Sequence, residues 1–245
     1  ISNYITLANL IKKFKPSAIL ALHGQVAVTK SIKNTKKDLN SNFLSIFNLL
    51  ECLRKYVPNS VLINLSSNKI YGPINELKIL EKKTKYISKN QINEKYPLNF
   101  DSPYACSKGA ADQYMKIYSK IFNLKTVSLR LSCVYGENQW GTEDQGWISW
   151  FIKCAKFKKT IRIFGDGKQV RDVLHVNDLS KLILKLLIKK KTIKGQSFNV
   201  GGGKKNALSL LDLISKIEKK LKIKINYSFY NERVGDQKYF VNDLS

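Results

Sequence analysis

The pattern of apolar and polar residues predicts helices and buried strands that alternate along the first half of the chain. The helical segments have the three-to-four-residue apolar spacing of amphipathic helices, and the strands are short, continuous apolar runs. Helices are predicted at 4–14, 40–56 and from Tyr104 onward, and strands at 18–22, 60–65 and 125–131. This alternation is typical of crossover connections on a parallel sheet, so the sequence predicts an α/β fold with a doubly wound parallel sheet.

The alternation is less regular in the second half. There we predict a helix at 145–157, a strand–turn–strand segment at 160–176, a helix at 176–190, a strand ending in the glycines 201–203, and a helix at 209–221. We therefore expect a main sheet domain and a smaller α/β lobe. The main domain is predicted to comprise 1–135 with 168–200 returning to it, and the lobe 136–167 and 201–245. The stretch 73–103 is polar and predicted to be irregular.

The composition excludes several classes of protein. The chain has 245 residues, 43% of them hydrophobic, which suffices for a sizeable core, and it contains no continuous apolar run of membrane-spanning length. The four cysteines are scattered without a CxxC pair, and there are two histidines. We expect reduced thiols in a cytoplasmic protein, and neither a metal site nor a membrane association.

The net charge of +25 suggests nucleic-acid binding as one hypothesis. The lysines, however, are spread along the predicted helices and do not form one block. We therefore interpret them as a solvated surface and expect no nucleic-acid partner. A basic nucleic-acid-associated protein, or a non-catalytic remnant of the fold, is the alternative from a different class.

Tyr104 and Lys108 are four residues apart at the start of a predicted helix, directly behind Pro103. Residues at this spacing share one helix face. A cation near a phenol favours the phenolate, so the pair predicts a tyrosine whose pKa is lowered from about 10. Such a phenol can exchange protons with a substrate. A surface pair on a helix is the alternative interpretation, because Tyr-x-x-x-Lys also occurs by chance.

Two serines, Ser66 and Ser67, follow the strand predicted at 60–65. Ligands of an open parallel sheet bind beyond the carboxyl ends of its strands, so these hydroxyls are candidates to contact a substrate. Their alternative role is to cap the strand end. A strand-end serine, then Tyr-x-x-x-Lys, then "LRLSCVYG" at the end of the next strand favours the catalytic interpretation.

These segments resemble the extended short-chain dehydrogenase/reductase family of nucleotide-sugar epimerases and dehydratases. The matching stretches are "SSNKIYG", "SPYACSKGAADQY", "LRLSCVYG", "GDGKQVRDVLHVNDL" and "FNVGGG", in the order that the family has them. The resemblance implies a Rossmann-like fold, NAD as cofactor, a nucleotide-sugar substrate, which we expect to be CDP-linked, and a homo-oligomer when full length.

The resemblance also implies roles for individual residues. Tyr104 would be the general acid and base, Lys108 would lower its pKa and hold the nicotinamide ribose, and Ser67 would bind the reacting oxygen. The residues expected to bind the cofactor are Ala21, Gly24, Asn42, Ser66, Tyr104, Lys108 and Leu131. The residues expected to bind the substrate are Asn68, Asp144, Gln145, Arg171 and Arg233, with the two arginines on the pyrophosphate because a guanidinium fork suits paired phosphate oxygens.

The chain departs from the family pattern in several places. The strand–GxxGxxG–helix unit that receives the dinucleotide pyrophosphate is absent, so we expect an internal piece of a longer enzyme that binds NAD poorly by itself. Ala21 and His23 alter the family's His-Leu-Ala-Gly loop, and Ser45-Ile46 replace a Gly-Thr pair. We expect the other histidine, His175, to be structural.

The residues after Ser67 bear on the reaction. A 4,6-dehydratase of this family needs an additional acid and base, usually an Asp-Glu pair at this position, whereas this chain has Asn68-Lys69. An amide and an ammonium cannot take those roles, so we expect an epimerase that acts by transient oxidation. The dehydratase and a C4-epimerase are the alternatives within the family.

Overall fold

The computed structural model describes residues 1–74 and 76–245. Its α-helices are α1 (Tyr4–Phe14), α2 (Val28–Lys33), α3 (Thr35–Leu39), α4 (Ser45–Tyr56), α5 (Pro103–Phe122), α6 (Trp147–Lys156), α7 (Val176–Ile188) and α8 (Leu210–Leu221). Its strands are β1 (Ala18–Ala21), β2 (Val61–Ser67), β3 (Ile79–Glu81), β4 (Tyr86–Ser88), β5 (Lys125–Leu131), β6 (Cys133–Tyr135), β7 (Ile161–Phe164), β8 (Val170–His175), β9 (Gln196–Val200), β10 (Ala207–Ser209), β11 (Tyr227–Tyr230) and β12 (Tyr239–Phe240).

The first of two compact units comprises Ile1–Gly72, Pro97–Leu131 and Ser180–Asn199. It contains a sheet with the order β1-β2-β5-β9, in which β1, β2 and β5 pair in parallel. Each of these parallel neighbours is reached through helices, as a crossover connection requires. Because parallel strands are covered on both faces, β2 is an almost uninterrupted buried segment.

The core of the first unit forms where α1, α4 and α5 bury their apolar stripes. Leu50, Cys52 and Leu53 of α4 are fully buried and cluster with Met115 of α5 and Leu62 of β2. Burial of such side chains is the main stabilising contribution, at about 1.5–3 kcal/mol for each large aliphatic residue.

A buried ion pair connects α5 with β5. The guanidinium of Arg130 donates 2.7 Å and 3.3 Å hydrogen bonds to the two carboxylate oxygens of Asp112, and a 2.7 Å bond to the hydroxyl of Tyr71. Tyr71 donates in turn to the Asn199 side chain, and Ser197 donates to Asp112. The network holds α5, the helix that carries Tyr104, in a fixed register against the sheet.

The second unit comprises Pro73–Tyr96, Ser132–Leu179 and Val200–Ser245. Its central strand is β8, which pairs with β10 in antiparallel and with β6 and β12 in parallel orientation. Strands β7 and β11 form a parallel pair, and β3 and β4 an antiparallel one. Apolar residues of α6 and α8 pack with β7 in a separate core.

The helices and strands predicted from the sequence are confirmed, with differences in how they assemble. Residues 168–179, predicted to return to the main domain, belong to the second unit, because β8 pairs with β6, β10 and β12. Residues 73–96 also belong to the second unit, and they include the β3–β4 pair within a stretch predicted to be irregular. Among the described residues, no helix is both long and apolar enough to span a membrane.

Candidate active site

Helix α5 begins at a defined point and thereby fixes Tyr104 in its first turn. Ser102 caps the helix, its side-chain oxygen accepting a 3.2 Å hydrogen bond from the backbone N–H of Ala105, and Pro103 occupies the first turn, where it sacrifices no hydrogen bond. The backbone N–H of Tyr104, which has no partner within the helix, donates to the hydroxyl of Ser31 at 3.2 Å.

The Tyr104 side chain is 7% exposed and its hydroxyl is hydrogen-bonded to Ser67. Burial raises the pKa of Tyr104; the bond to Ser67 lowers it in part, and the charge of Asp38 raises it. The prediction that the pKa of this phenol is lowered is therefore wrong for the protein alone, because the desolvation penalty on the phenolate outweighs the favourable contacts. Additional positive charge is needed to ionise it.

Lys108 lies one turn further along α5 and is also buried. Its ammonium donates a 2.9 Å hydrogen bond to the main-chain oxygen of Leu65 on β2. Burial lowers the pKa of Lys108 to about 8, and the negative charge of Asp38 opposes that shift. Lys108 is thus mainly protonated at neutral pH, with an ammonium held near the carboxyl end of the sheet.

The loop after β1 approaches this ammonium closely. Gly24 has φ +144°, and a Cβ there would lie 2.6 Å from Asn42 Oδ1 and 3.3 Å from Lys108 Nζ. A glycine is required because any side chain would meet those atoms and because L-residues rarely adopt this backbone conformation. The buried Oδ1 of Asn42 accepts no hydrogen bond from the described part of the chain.

Two departures from the family pattern are in contact with each other. His23 Nε2 lies 2.6 Å from the hydroxyl of Ser45, which donates to the main-chain oxygen of Ser41. His23 Nε2 is therefore the donor in this contact. Burial and the charge of Lys108 lower the pKa of His23, so the ring is neutral near pH 7.

Asp38 is a buried residue of this site that the sequence did not predict. It is 1% exposed, and its carboxylate accepts hydrogen bonds from Gln25 (2.8 Å), Asn42 (3.0 Å) and Ser107 (2.5 Å). In the lysine-rich segment around it, a single aspartate looks like a solvated residue. Its spacing of four residues from Asn42 is the signal that could have identified it.

The remaining predicted residues of the first unit lie at strand ends. Ala21 ends β1, and Ser67 and Leu131 are opposite each other in the pairing of β2 with β5. Ser66 is buried, and its hydroxyl has no hydrogen-bond partner among the described residues. Asn68 is buried in the turn that follows β2, where its side-chain oxygen lies 3.5 Å from the Ser67 hydroxyl.

The two predicted pyrophosphate arginines lie in the second unit, each beside a carboxylate. Arg171 is 7% exposed and its guanidinium lies 2.7 Å from Asp236. Arg233 stacks 3.8 Å from the ring centre of Phe164 and lies 3.4 Å from Asp144. Phe164 and Asp236 were not predicted as site residues. The arginines are thereby oriented and partly neutralised in the protein.

Gln145 and His175 make local contacts in this unit. The backbone of exposed Gln145 pairs with Thr142. His175 packs edge-on against Tyr135, accepts a hydrogen bond from the N–H of Asn177 and lies 3.4 Å from Glu137. These contacts are those of a packed, structural histidine. No group of three or more potential metal ligands occurs among the residues that the structure describes.

The first unit fits a dinucleotide cofactor on structural grounds. Gly24 leaves open a space that a Cβ would fill. This space borders the ammonium of Lys108 and Asn42 Oδ1, an acceptor that has no donor among the residues that the structure describes. Together these groups supply one hydrogen-bond acceptor and an ammonium with two further N–H donors, at the end of a parallel sheet, where nucleotides bind in open α/β folds.

Comparisons with known proteins identify the family of the chain. The model of the NAD-dependent epimerase/dehydratase family matches residues 1–201. The CDP-paratose 2-epimerase of Salmonella typhi is 42% identical over 252 residues, an alignment that covers all of this chain and 75% of that protein. A putative UDP-glucose 4-epimerase of Methanocaldococcus jannaschii is 34% identical over 78% of this chain and 57% of its own length.

Solved structures show the same fold. The UDP-glucuronic acid 4-epimerase of Bacillus cereus, in complex with UDP-glucuronic acid and NAD, superposes with a TM-score of 0.84 at 25% identity, covering 99% of this chain and 71% of that one. The UDP-glucose 4-epimerase of Thermus thermophilus has a TM-score of 0.85 at 24% identity, covering 99% of this chain and 74% of that one. The chain belongs to the NAD-dependent epimerase/dehydratase family, a family of Rossmann-type enzymes with NAD as cofactor.

Proposed function

We propose that the full-length protein is a CDP-paratose 2-epimerase, which inverts carbon 2 of a CDP-linked sugar by transient oxidation. The observation that carries the proposal is the buried hydrogen bond between Tyr104 and Ser67, with the ammonium of Lys108 on the next turn of α5. The 42% identity to a CDP-paratose 2-epimerase supports the choice of substrate. The four free thiols support a cytoplasmic location, and homo-oligomerisation stays a prediction.

Tyr104 is the residue that moves the proton. In the oxidation, the hydroxyl group on carbon 2 gives its proton to the phenolate oxygen of Tyr104. In the reverse direction, the phenol returns this proton to the carbonyl oxygen. Ser67 orients the reacting oxygen through its hydroxyl. When bound, NAD+ supplies the acceptor for the hydrogen on carbon 2 and a positive charge that favours the phenolate.

Lys108, Asn42 and Gly24 hold the dinucleotide. Lys108 has one protein partner, the oxygen of Leu65, in its described hydrogen bonds, so its other two N–H groups can donate to ribose hydroxyls. Asn42 Oδ1 can accept a hydrogen bond from a hydroxyl of the cofactor. Inversion requires that the ketone present its other face before the hydrogen returns, and tight cofactor retention prevents net oxidation.

Arg171 and Arg233 bind the pyrophosphate of the substrate. Each is held by an aspartate, Asp236 and Asp144 respectively, so the guanidinium planes are fixed before the anion arrives. A bidentate guanidinium–phosphate contact is among the stronger charge-assisted hydrogen bonds and is specific for paired oxygens.

The residues after Ser67 favour epimerisation over dehydration. Asn68 is buried beside the Ser67 hydroxyl and Lys69 donates its backbone N–H to that hydroxyl, so an amide and a lysine occupy this turn. Elimination of water needs a carboxylic acid and a base, which this turn does not provide.

The test is an assay of the full-length protein with CDP-paratose, which measures the 2-epimer by NMR. We expect conversion by the wild type, and a loss of at least about 100-fold in kcat for Tyr104→Phe, because proton transfer by a positioned side chain contributes about 10²–10⁴-fold. Tyr114→Phe is the matched control, since Tyr114 lies on the same helix and packs its ring against Phe43.

Equal unfolding midpoints of Tyr104→Phe and Tyr114→Phe would show that the lower kcat of Tyr104→Phe does not result from unfolding. Conversion of CDP-paratose by Tyr104→Phe at more than a tenth of the wild-type rate contradicts the role of Tyr104. Turnover of UDP-glucose in preference to CDP-paratose would contradict the proposal that CDP-paratose is the substrate.

A further inference from the structure

The buried aspartate beside the Tyr104–Lys108 pair has no role in the mechanism described so far. Asp38 lies on α3, and its carboxylate accepts from three side chains on three different segments. Gln25 comes from the loop after β1, Asn42 from the π-helical turn after α3, and Ser107 from α5. A single carboxylate therefore joins the loop of Gly24, the amide of Asn42 and the helix that carries both catalytic residues.

Two residues of this network, Asn42 and Ser107, connect Asp38 to the proposed cofactor position. Asn42 Nδ2 donates to Asp38 Oδ1 at 3.0 Å, which fixes the amide so that its Oδ1 faces Gly24. Ser107, which donates to Asp38 Oδ2 at 2.5 Å, immediately precedes Lys108. The carboxylate thus decides the amide orientation of Asn42, because a flipped amide would place its oxygen against another oxygen.

The charges around Lys108 come from several elements. The charge of Asp38, on α3, acts on Lys108, and Lys108 in turn acts on His23, in the loop after β1. Tyr104 lies on α5 itself, and β2 presents the main-chain oxygen of Leu65. His23 is neutral near pH 7, so it adds no positive charge there. Asp38 is the source of negative charge that acts on both Lys108 and Tyr104.

We propose that Asp38 is a positioning residue of the active site, which orients Asn42 towards the dinucleotide and provides a buried negative charge that stabilises the ammonium of Lys108. The inference rests on the proposed function of Tyr104 and Lys108. Its consequence is that loss of the charge lowers the pKa of Lys108 and that of Tyr104 together, since a negative charge favours the protonated form of each. The active combination of phenolate and ammonium then occurs at lower pH.

Asp38→Asn removes the charge while it can retain the hydrogen bonds. Its side-chain oxygen can accept from Gln25 and Asn42, and its NH2 group can donate to Ser107. The Ser107 hydroxyl has a second acceptor 3.1 Å away, the main-chain oxygen of Tyr104, to which it can turn. Asp38→Ala, by contrast, removes the acceptor of the buried Asn42 amide and of the half-buried Gln25 amide, and it is expected to lower the unfolding midpoint as well.

The first measurement is independent of activity. In the full-length protein labelled with 13C at the lysine Cε, the Lys108 signal, assigned by its loss in Lys108→Arg, is titrated by NMR. We expect a pKa about one unit lower in Asp38→Asn than in the wild type. An unchanged Lys108 pKa in a folded Asp38→Asn protein overturns the proposal.

The second measurement is the pH profile of kcat/KM for CDP-paratose. We expect both limbs of the profile to move to lower pH by about one unit in Asp38→Asn. A uniform loss at all pH values, with no shift of either limb, overturns the electrostatic role. Asp178→Asn is the control, because Asp178 is exposed at the start of α7 and its loss should leave the profile unchanged.

A separate variant protects the test against misfolding. Asp38→Ser places a neutral acceptor at the same position and is expected to shift the Lys108 pKa in the same direction. A failure of the proposed function would appear as no turnover of CDP-paratose by the wild type. The NMR titration would still decide the role of Asp38.

Discussion

At the scale of single residues, burial changes the pKa values of the two side chains that carry the proposed mechanism. Burial favours the neutral form of both Tyr104 and Lys108. It raises the pKa of the Tyr104 phenol and lowers the pKa of the Lys108 ammonium to about 8. Their spacing was predictable from the sequence, because it depends on helix geometry alone. The direction of the Tyr104 shift was not, because desolvation depends on residues distant in sequence.

Gly24 tests whether the close approach to Asn42 and Lys108 matters for the cofactor. Gly24→Ala introduces a Cβ 2.6 Å from Asn42 Oδ1 at a strained φ of +144°. We expect destabilisation of about 1–3 kcal/mol and a loss of NAD affinity, measured by urea denaturation and by fluorescence titration of the full-length protein.

Gly165→Ala is the control for strain alone. Gly165 has φ +83°, but a Cβ there would meet its nearest atom at 3.6 Å. The control should lose stability through its backbone and keep its NAD affinity. Equal NAD affinities for Gly24→Ala and the wild type would contradict the cofactor role of this loop.

At the scale of secondary-structure elements, the helix–strand alternation of the sequence predicted the parallel sheet. It did not predict two features, the π-helical turn before α4 and the partner strands of β8. The helix predicted at 40–56 begins with a π-helical turn, Asn40–Leu44, which contains Asn42. Such turns recur at functional sites and have no apolar signature that a periodic pattern could show. Strand β8 was assigned to the wrong sheet, because a hydrophobic run does not specify its partner strands.

The cap of α5 yields a prediction at this scale. Ser102→Ala removes the acceptor for the N–H of Ala105, and we expect a loss of about 1 kcal/mol together with a reduced kcat, since the first turn carries Tyr104. Urea denaturation and the epimerase assay measure the two effects.

Ser209→Ala is the matched control, because Ser209 caps α8 with the same type of bond, from the N–H of Asp212. Because the Ser209 hydroxyl also donates to the main-chain oxygen of Thr84, the control should lose at least as much stability as Ser102→Ala, with an unchanged kcat. A reduced kcat in Ser209→Ala to the same extent as in Ser102→Ala would show that the effect is global and not specific to Tyr104.

At the scale of the whole molecule, the chain comprises two compact units, to which we assign different parts of the proposed site. The first contains the parallel sheet, the Tyr104–Lys108 pair and the Asp38 network, and the second contains the arginines that we assign to the pyrophosphate. The net charge of +25 comes mostly from lysines, which are spread over helices and loops of both units, and it supports a general attraction for anionic ligands. The aligned segment spans 75% of the Salmonella typhi relative, so the assays use the full-length protein.

The fate of the hydrogen on carbon 2 tests the central claim most directly. The full-length protein is incubated in ordinary water with CDP-paratose that carries deuterium at carbon 2, and the product is analysed by NMR and mass spectrometry. If Tyr104 takes the hydroxyl proton while the carbon-bound hydrogen is removed and returned to the same carbon, the product retains the deuterium. Replacement of that deuterium by solvent hydrogen would indicate epimerisation by deprotonation of carbon and would contradict the account.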